Sequence, residues 1–207
     1  MKFINQLEEY KWLWKGKDNN KRHIIRMSVI EGTILHIVAK KATTRIVEIG
    51  RMNGGSTFVL CKSSNVPVIS IDLHYRNTQC LNRTEEEFKE RLKLINDRSN
   101  KVNLQLPYDV ILIDGDHSTN GVFNDVKNYW YNISSNGYAI FHDYWTRGGV
   151  RRAVDYLIHN NIGTERTFIG EPTTKFCHPE PNLRNDTIVL QKKKNLPVEL
   201  DIRDIKV

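Results

Sequence analysis

The sequence predicts an α/β fold: a doubly wound, seven-stranded, mostly parallel sheet with helices on both faces and an N-terminal helical cap. Three observations predict it. Short apolar runs alternate with segments of helical period, as in a sheet wound by crossover helices. One run, Tyr108-Asp-Val-Ile-Leu-Ile-Asp114, is apolar almost throughout, as a strand covered on both faces should be. Polar residues then cluster just past the ends of these runs, where an open parallel sheet binds its ligands.

The elements follow in order. Residues 1 to about 20 read as part of a cap, with Tyr10, Trp12 and Trp14 able to pack on the domain or close over a ligand. From His23 to Lys40 the apolar residues Ile24, Met27, Ile30, Ile34, Ile37 and Val38 recur at helical spacing. Arg45–Gly50 and Pro67–Asp72 read as strands, Glu85–Arg91 as a charged helix and Leu92–Ile95 as a short strand. After the strand 108–114 come a helix over Asn120–Tyr131, a strand over Gly137–His142 and a helix over Gly149–His159. Thr167–Gly170 and Thr187–Leu190 complete the sheet. The whole chain reads as one domain, with a cap over 1–40, a core over 41–191 and a tail over 192–207.

Composition narrows the class. The 207 residues suffice for one domain with a buried core, and 39% hydrophobic with 27% charged residues is a globular balance. The net charge of +7 suggests an acidic partner, but the lysines are scattered and only Lys192–Lys194 form a run, so the plainer reading is a solvated surface. Cys61, Cys80 and Cys177 are widely spaced and odd in number, which argues against a disulfide framework or a zinc site and fits a reduced cytoplasm. The N-terminal segment lacks the apolar stretch of a signal peptide, and no run is long enough to span a membrane.

Two features carry the binding chemistry. Glu48-Ile-Gly50-Arg-Met-Asn-Gly54-Gly-Ser56-Thr joins the first strand to a helix, and its glycines let backbone approach a ligand closely. Asp72 ends the second strand, where a carboxylate can accept hydrogen bonds from a ribose diol. The glycine spacing is not the GxGxxG of dinucleotide enzymes, which speaks against a nicotinamide-dependent oxidoreductase. Together, E-x-G-x-x-x-G-G-S-T and the strand ending in Asp72 resemble the cofactor half of class I S-adenosylmethionine-dependent methyltransferases, whose core is Rossmann-like. Downstream, Ile113-Asp114-Gly-Asp-His117-Ser-x-x-Gly-Val, Asp125, Trp130, Phe141-His142-Asp143-Tyr144 and Gly149-Val-Arg-Arg-Ala-Val154 resemble the branch holding antibiotic-sugar O-methyltransferases and cephalosporin-hydroxylase-like proteins. Met27-Ser-Val-Ile-Glu31-Gly32-Thr-Ile-Leu35 resembles the lead-in to the first strand in catechol-type enzymes.

The resemblance implies roles. Glu48, Gly50, Gly54 and Ser56 would surround the methionine end of S-adenosylmethionine, Asp72 would hold its ribose, and Asp97 or Ser99 would lie beside the adenine, with Asp114 also at the cofactor. His117, three residues past Asp114, would be the general base. Asp114 and Asp143, with His142 as third ligand, would hold Mg²⁺ or another divalent cation. The pattern departs from the family here: metal-dependent sugar enzymes carry Glu-Asp in place of His142-Asp143, and imidazole suits Mn²⁺ or Fe²⁺ better than Mg²⁺. Alternatively, Asp143 orients His117 or caps the next helix. Tyr144, Trp145, Arg147 and the loop 171–182 would line the acceptor pocket, although the loop could form a subunit contact in a homo-oligomer instead. The expected acceptor is a sugar or other small hydroxylated molecule, free or on a glycan. RNA methylation is the rival that the basic charge favours, without a basic-aromatic cluster to support it. A silent binding module is the rival that the altered metal motif keeps open.

Overall fold

The central strands of the sheet are short branched-apolar runs whose alternate side chains enter opposite cores. A computed structural model of the protein describes residues 10–16, 24–166 and 185–197. The strands are β1 (Ile46–Ile49), β2 (Val68–Asp72), β3 (Leu92–Asn96), β4 (Tyr108–Ile113), β5 (Ile133–Phe141), β6 (Gly163–Glu165) and β7 (Ile188–Lys192). They form one seven-stranded sheet in the order β3-β2-β1-β4-β5-β7-β6. β1 to β5 pair in parallel, and β7 runs antiparallel between β5 and β6. The strand order reverses between β1 and β4, and this is where a doubly wound sheet opens a crevice at its carboxyl edge.

The helices are α1 (Lys11–Lys15), α2 (Val29–Ala39), α3 (Gly55–Ser63), α4 (Gln79–Phe88), α5 (Thr119–Tyr129) and α6 (Gly148–His159). Val47 and Ile49 of β1 face one core, which also takes Phe123 and Val126 of α5 and Val154 and Leu157 of α6. Ile46 of β1 faces the other, with Leu35 and Val38 of α2, Phe58 of α3 and Phe88 of α4. Each such buried side chain stabilises by roughly 1.5–3 kcal/mol relative to exposure. α2 is thus one layer of the sandwich. What caps it is α1, whose Leu13 is fully buried and whose Trp12 and neighbouring Tyr10 meet Phe58 edge to face, with ring centroids 5.1 and 6.0 Å away. Trp14 instead donates its indole N–H to the Met27 carbonyl at 2.7 Å and lies against Gly32, where a Cβ would come within 2.4 Å of its ring.

Several boundaries differ from the sequence expectation for local reasons. α2 starts at Val29, not His23, because Ser28 and Glu31 form a reciprocal capping box, leaving 24–28 as extended chain. α4 starts six residues before Glu85, capped by Thr78; its buried face is Cys80, Leu81, Thr84 and Phe88, and the acidic run 85–87 flanks it. β5 begins four residues before Gly137, with a register irregularity against β4. β7 runs through Lys192, whose buried ammonium donates to the carbonyls of Tyr131 and Ile133, so the sheet extends past the expected start of the tail. The strand expected at Thr167–Gly170 lies outside the described residues, and the described partner of β7 is β6. Cys61 and Cys80 are buried free thiols, whose pKa burial pushes up to about 12, while Cys177 lies outside the described residues. Among the described residues, no helix is long and apolar enough to cross a membrane.

Candidate active site

A cleft of about 1050 Å³ opens along the carboxyl ends of β1, β2, β4 and β5. Its floor is made by the turn after β1. Gly50 and Gly54 both adopt φ +87°, in the left-handed region that favours glycine. A Cβ on Gly50 would stand 2.1 Å from the Asp114 carbonyl oxygen, so the exits of β1 and β4 can cross at this distance only without a side chain. Asp72 holds the same turn from β2. Its Oδ2 accepts from the backbone N–H groups of Arg51 and Met52 at 3.0 and 2.9 Å, and its Oδ1 from that of His74 at 2.9 Å. A carboxylate accepts about four hydrogen bonds, so Asp72 retains capacity toward the cleft it lines.

The residues expected at the cofactor divide. Gly50, Ser56, Asp72, Asp97, Ser99 and Asp114 line the cleft. Glu48 does not, and this corrects the expectation for it. Its carboxyl group is fully buried and accepts from Ser56 Oγ, Thr57 Oγ1 and Ser70 Oγ at 2.5, 2.6 and 2.6 Å. Glu48 faces the α3 side of β1, where hydroxyls of α3 and β2 saturate it. Burial outweighs those hydrogen bonds and the nearby Arg51 charge, and raises its pKa. Gly54 is the N-cap of α3 and shapes the turn rather than lining the cleft, its left-handed backbone packed on Leu81. Arg51 was not foreseen. It is 1% exposed, and its guanidinium donates to the Ser70 and Ile95 carbonyls, both at 3.0 Å, and to Asn96 Oδ1, tying the ends of β2 and β3 together.

At the other end, the exits of β4 and β5 bring Asp114, His117, His142 and Asp143 together. His117 Nε2 lies 3.3 Å from Asp114 Oδ1 and its Nδ1 3.5 Å from Asp143 Oδ2. His142 Nδ1 lies 3.1 Å from the same Asp114 oxygen, and its Nε2 3.5 Å from Glu31 Oε1. Burial opposes charge on His142, yet Asp114 and Glu31 together hold its pKa well above the ordinary histidine value. The hydrogen bond to Asp114, helped by the charges of Asp114 and Asp143, raises that of His117 against desolvation. Burial pushes Asp114 up, but the two imidazoles outweigh it and hold its carboxyl below the usual range. Asp143 sits at φ +59°, a left-handed conformation that Asp tolerates better than most residues, at the tight turn after β5. Asp186 braces that turn by accepting from Thr146 N at 3.1 Å, and its own N–H donates to Glu31 Oε1 at 2.7 Å.

The network bears on the ligand set expected for a metal. Ligand atoms of Asp114, His117 and Asp143 all lie within 4.8 Å of one another, a spacing that two carboxylates and an imidazole could close around one divalent ion. His142, expected as the third ligand, is 7% exposed with its ring nitrogens at Asp114 and Glu31, and is not one of these three. The acceptor wall also differs. Arg147 lines the cleft, with Nε 3.6 Å from Asp143 Oδ2, whereas Tyr144 and Trp145 pack into the core, Tyr144 donating to Asp155 at 2.6 Å. Trp14 and residues 24–28 of the extended segment line the cleft as well. The loop 171–182 lies outside the described residues. Asp125 also lines the cleft, and Glu31 stands behind it against His142. Sequence reasoning met both only as members of longer motifs and singled out neither as a site residue.

The chain is similar to known methyltransferases. A family model described as a methyltransferase domain matches residues 47–144, from β1 to the turn after β5. No curated protein matches the sequence significantly. The structure of the Podospora anserina methyltransferase PaMTH1 bound to S-adenosylhomocysteine superposes with a TM-score of 0.61 at 16% identity, over 94% of this chain and 89% of that one. The O-methyltransferase TomG of Streptomyces achromogenes, solved with S-adenosylmethionine, gives 0.61 at 15% identity, over 92% and 87%. An rRNA methylase of Streptococcus thermophilus gives 0.56 at 15% identity, over 80% and 95%. The domain match spans the glycine turn, Asp72 and the Asp114–His117 segment, and the fold is that of these methyltransferase structures; together they support a class I S-adenosylmethionine-dependent methyltransferase.

Proposed function

We propose that the protein methylates a hydroxyl group of a small acceptor, a sugar or similar polyol, with His117 as general base. The observation that carries this reading is the Asp114–His117–Asp143 cluster at the acceptor end of the cleft. S-adenosylmethionine, when bound, supplies an electrophilic methyl group. The glycine turn, Ser56 and Asp72 would hold it, Asp97 and Ser99 would lie toward its base, and the cleft volume leaves room for an acceptor beside it. A hydroxyl oxygen is a poor nucleophile until its proton leaves. The neutral imidazole of His117 accepts that proton as the oxygen attacks, and Asp114 and Asp143 stabilise the imidazolium that forms. Glu31, through His142, fixes Asp114 in place.

A second reading is favoured by the close spacing of the same three side chains. A divalent ion held by Asp114, His117 and Asp143 would lower the pKa of a bound acceptor hydroxyl. Because His117 would then be a ligand, base and ligand are alternative uses of one imidazole. Methyl transfer to a panel of sugars and phenols, run with His117→Gln and with EDTA, separates the two. A base predicts a roughly 10²–10⁴-fold lower rate in His117→Gln and full wild-type rate in EDTA. Loss of wild-type activity in EDTA, restored by Mn²⁺, supports the metal. RNA binding that survives physiological salt would turn the assignment toward a nucleic-acid acceptor.

A further inference from the structure

We propose that the acceptor carries an anionic group, a carboxylate or a phosphate, and that Arg147 and Arg26 grip it from the two sides of the cleft. The inference deepens the hydroxyl-acceptor reading above and rests on it. Among the described residues, the Lys and Arg side chains that line the cleft are Arg26, Arg51, Arg76, Arg98 and Arg147. None is a lysine, although lysines outnumber arginines in the chain. The planar guanidinium fork meets two oxygens of a carboxylate or phosphate at once, which a compact ammonium does not. Arg51 is spent on the ends of β2 and β3, and Arg76 and Arg98 follow those two strands. Arg147 and Arg26 are left for the acceptor end.

Arg147 closes a row of alternating charge. Glu31, His142, Asp114, His117, Asp143 and Arg147 follow one another at 3.5, 3.1, 3.3, 3.5 and 3.6 Å. Asp114 and Asp143 each stand between two basic groups, whereas Arg147 has an acid on one side only. It meets Asp143 through Nε, and among the described residues no hydrogen bond takes its terminal amino groups. A pair this exposed is weak, so a second anion can share the guanidinium. The turn beneath it is set beforehand. The Thr146 N–H donates to Asp186 at 3.1 Å, and the Arg147 N–H to the Asp143 carbonyl at 2.9 Å. Arg147 is the N-cap of α6, in the layer that also holds α5. Arg26 comes from the other layer, on the segment leading into α2. It stands between Ile25, which packs on Gly55, and Ser28, which Glu31 ties to His142. It is exposed, and among the described residues it has no ion pair. Both arginines line the cleft that His117 lines, one from each layer, so an acceptor with its hydroxyl at His117 has a guanidinium on either side.

The test uses the full chain saturated with S-adenosylhomocysteine and three sugars that differ at one carbon: glucose, glucuronate and glucose 6-phosphate. Calorimetry in low salt should find one of the anions binding about tenfold or more tighter than glucose, the scale of a hydrogen bond to a charged group. Which anion binds tighter tells carboxylate from phosphate. Arg147→Gln should cut the preference to about threefold or less, and Arg147→Lys should keep part of it, since the charge stays and the fork is lost. Arg26→Gln should cut it by a smaller factor. The preference is a ratio read within each variant, so a general loss passed on through Asp143 cancels. Binding of S-adenosylhomocysteine checks that each variant folds. No preference among the three sugars, or a preference that survives both arginine substitutions, would overturn the inference and leave the hydroxyl reading standing. An anion preference that depends on Arg147, with the methyl group passing only to amines, would uphold the inference and overturn the hydroxyl reading. RNA that displaces both sugar anions at physiological salt would overturn the inference in favour of a nucleic-acid acceptor.

Discussion

The two ends of the cleft are built on different physics. At the β1–β2 end, backbone does the shaping. Gly50 and Gly54 take left-handed conformations, and Asp72 spends three hydrogen bonds on main-chain N–H groups. At the β4–β5 end, five ionisable side chains, Glu31, Asp114, His117, His142 and Asp143, face one another within a few ångströms. The first end is a mould whose form hardly depends on pH. The second is a charge arrangement whose state depends on every member. Perturbing the mould should alter binding, and perturbing the charges should alter rate.

The largest effect is expected at Asp114, which belongs to both. Asp114→Asn takes from buried His142 its nearest carboxylate, leaving Glu31 and Asp143 each at 3.5 Å, and removes the partner of His117 Nε2. The rate should fall by 10²-fold or more, and stability by about 2–3 kcal/mol, as when a largely buried ion pair loses one member. Kinetics and thermal denaturation check this, and a variant with wild-type rate would show that the charged network is not part of catalysis. Gly50→Ala comes next. Its methyl collides with the Asp114 backbone and its φ is strained, at about 1–3 kcal/mol for the conformation alone. S-adenosylhomocysteine affinity should fall at least tenfold, and an unchanged dissociation constant would mean that the turn does not shape the site.

A smaller but sharper contrast lies in pH. The His117 pKa is raised, so the rate should climb as pH rises through a value above 6.5, where the imidazole loses its proton. Between pH 7 and 9 the affinity for S-adenosylhomocysteine should stay within about threefold, because backbone geometry shapes the mould. A rate that is flat across this window would remove His117 as base. The smallest effect is expected at Glu48. Glu48→Gln should leave cofactor affinity within about twofold, since the carboxyl serves three internal hydroxyls. Its folded pKa is raised, so the wild-type protein gains stability as pH falls through that value toward the unfolded one. Thermal melts from pH 7 to 5 should show a gain in the wild type that shrinks in Glu48→Gln.

The contrast also explains what could be read from the sequence. Glycines and a strand-end aspartate announce a backbone mould locally, because the constraint sits on the residue itself. Strand ends are just as local, so Asp114, His117 and Asp143 could be placed on one rim from their positions alone. Orientation along a strand is less accessible. Glu48 and Ile49 look equivalent beside a glycine turn, and only pairing with α3 and β2 sends the carboxylate into the core. Glu31 reads as one more polar residue of a helical segment, because its partners His142 and Asp186 are more than a hundred residues away. Asp125 sits between Val122 and Val126 and reads as any polar residue of an amphipathic helix. The pairing of His142 with Glu31 is hidden for the same reason, since no local pattern links the two.

The antiparallel β7 has a consequence for how the molecule comes into being. On the ribosome, β6 leaves the exit tunnel before β7, yet it can join the sheet only through β7, which fills the place between β5 and β6. The Asp186 brace on the turn carrying Asp143 arrives with the same late segment. Earlier crossovers can close as they emerge, but the rim of the acceptor end cannot. Vectorial synthesis therefore leaves the β4–β5 end of the cleft unfinished until β7 is threaded into place, after the β1–β2 end.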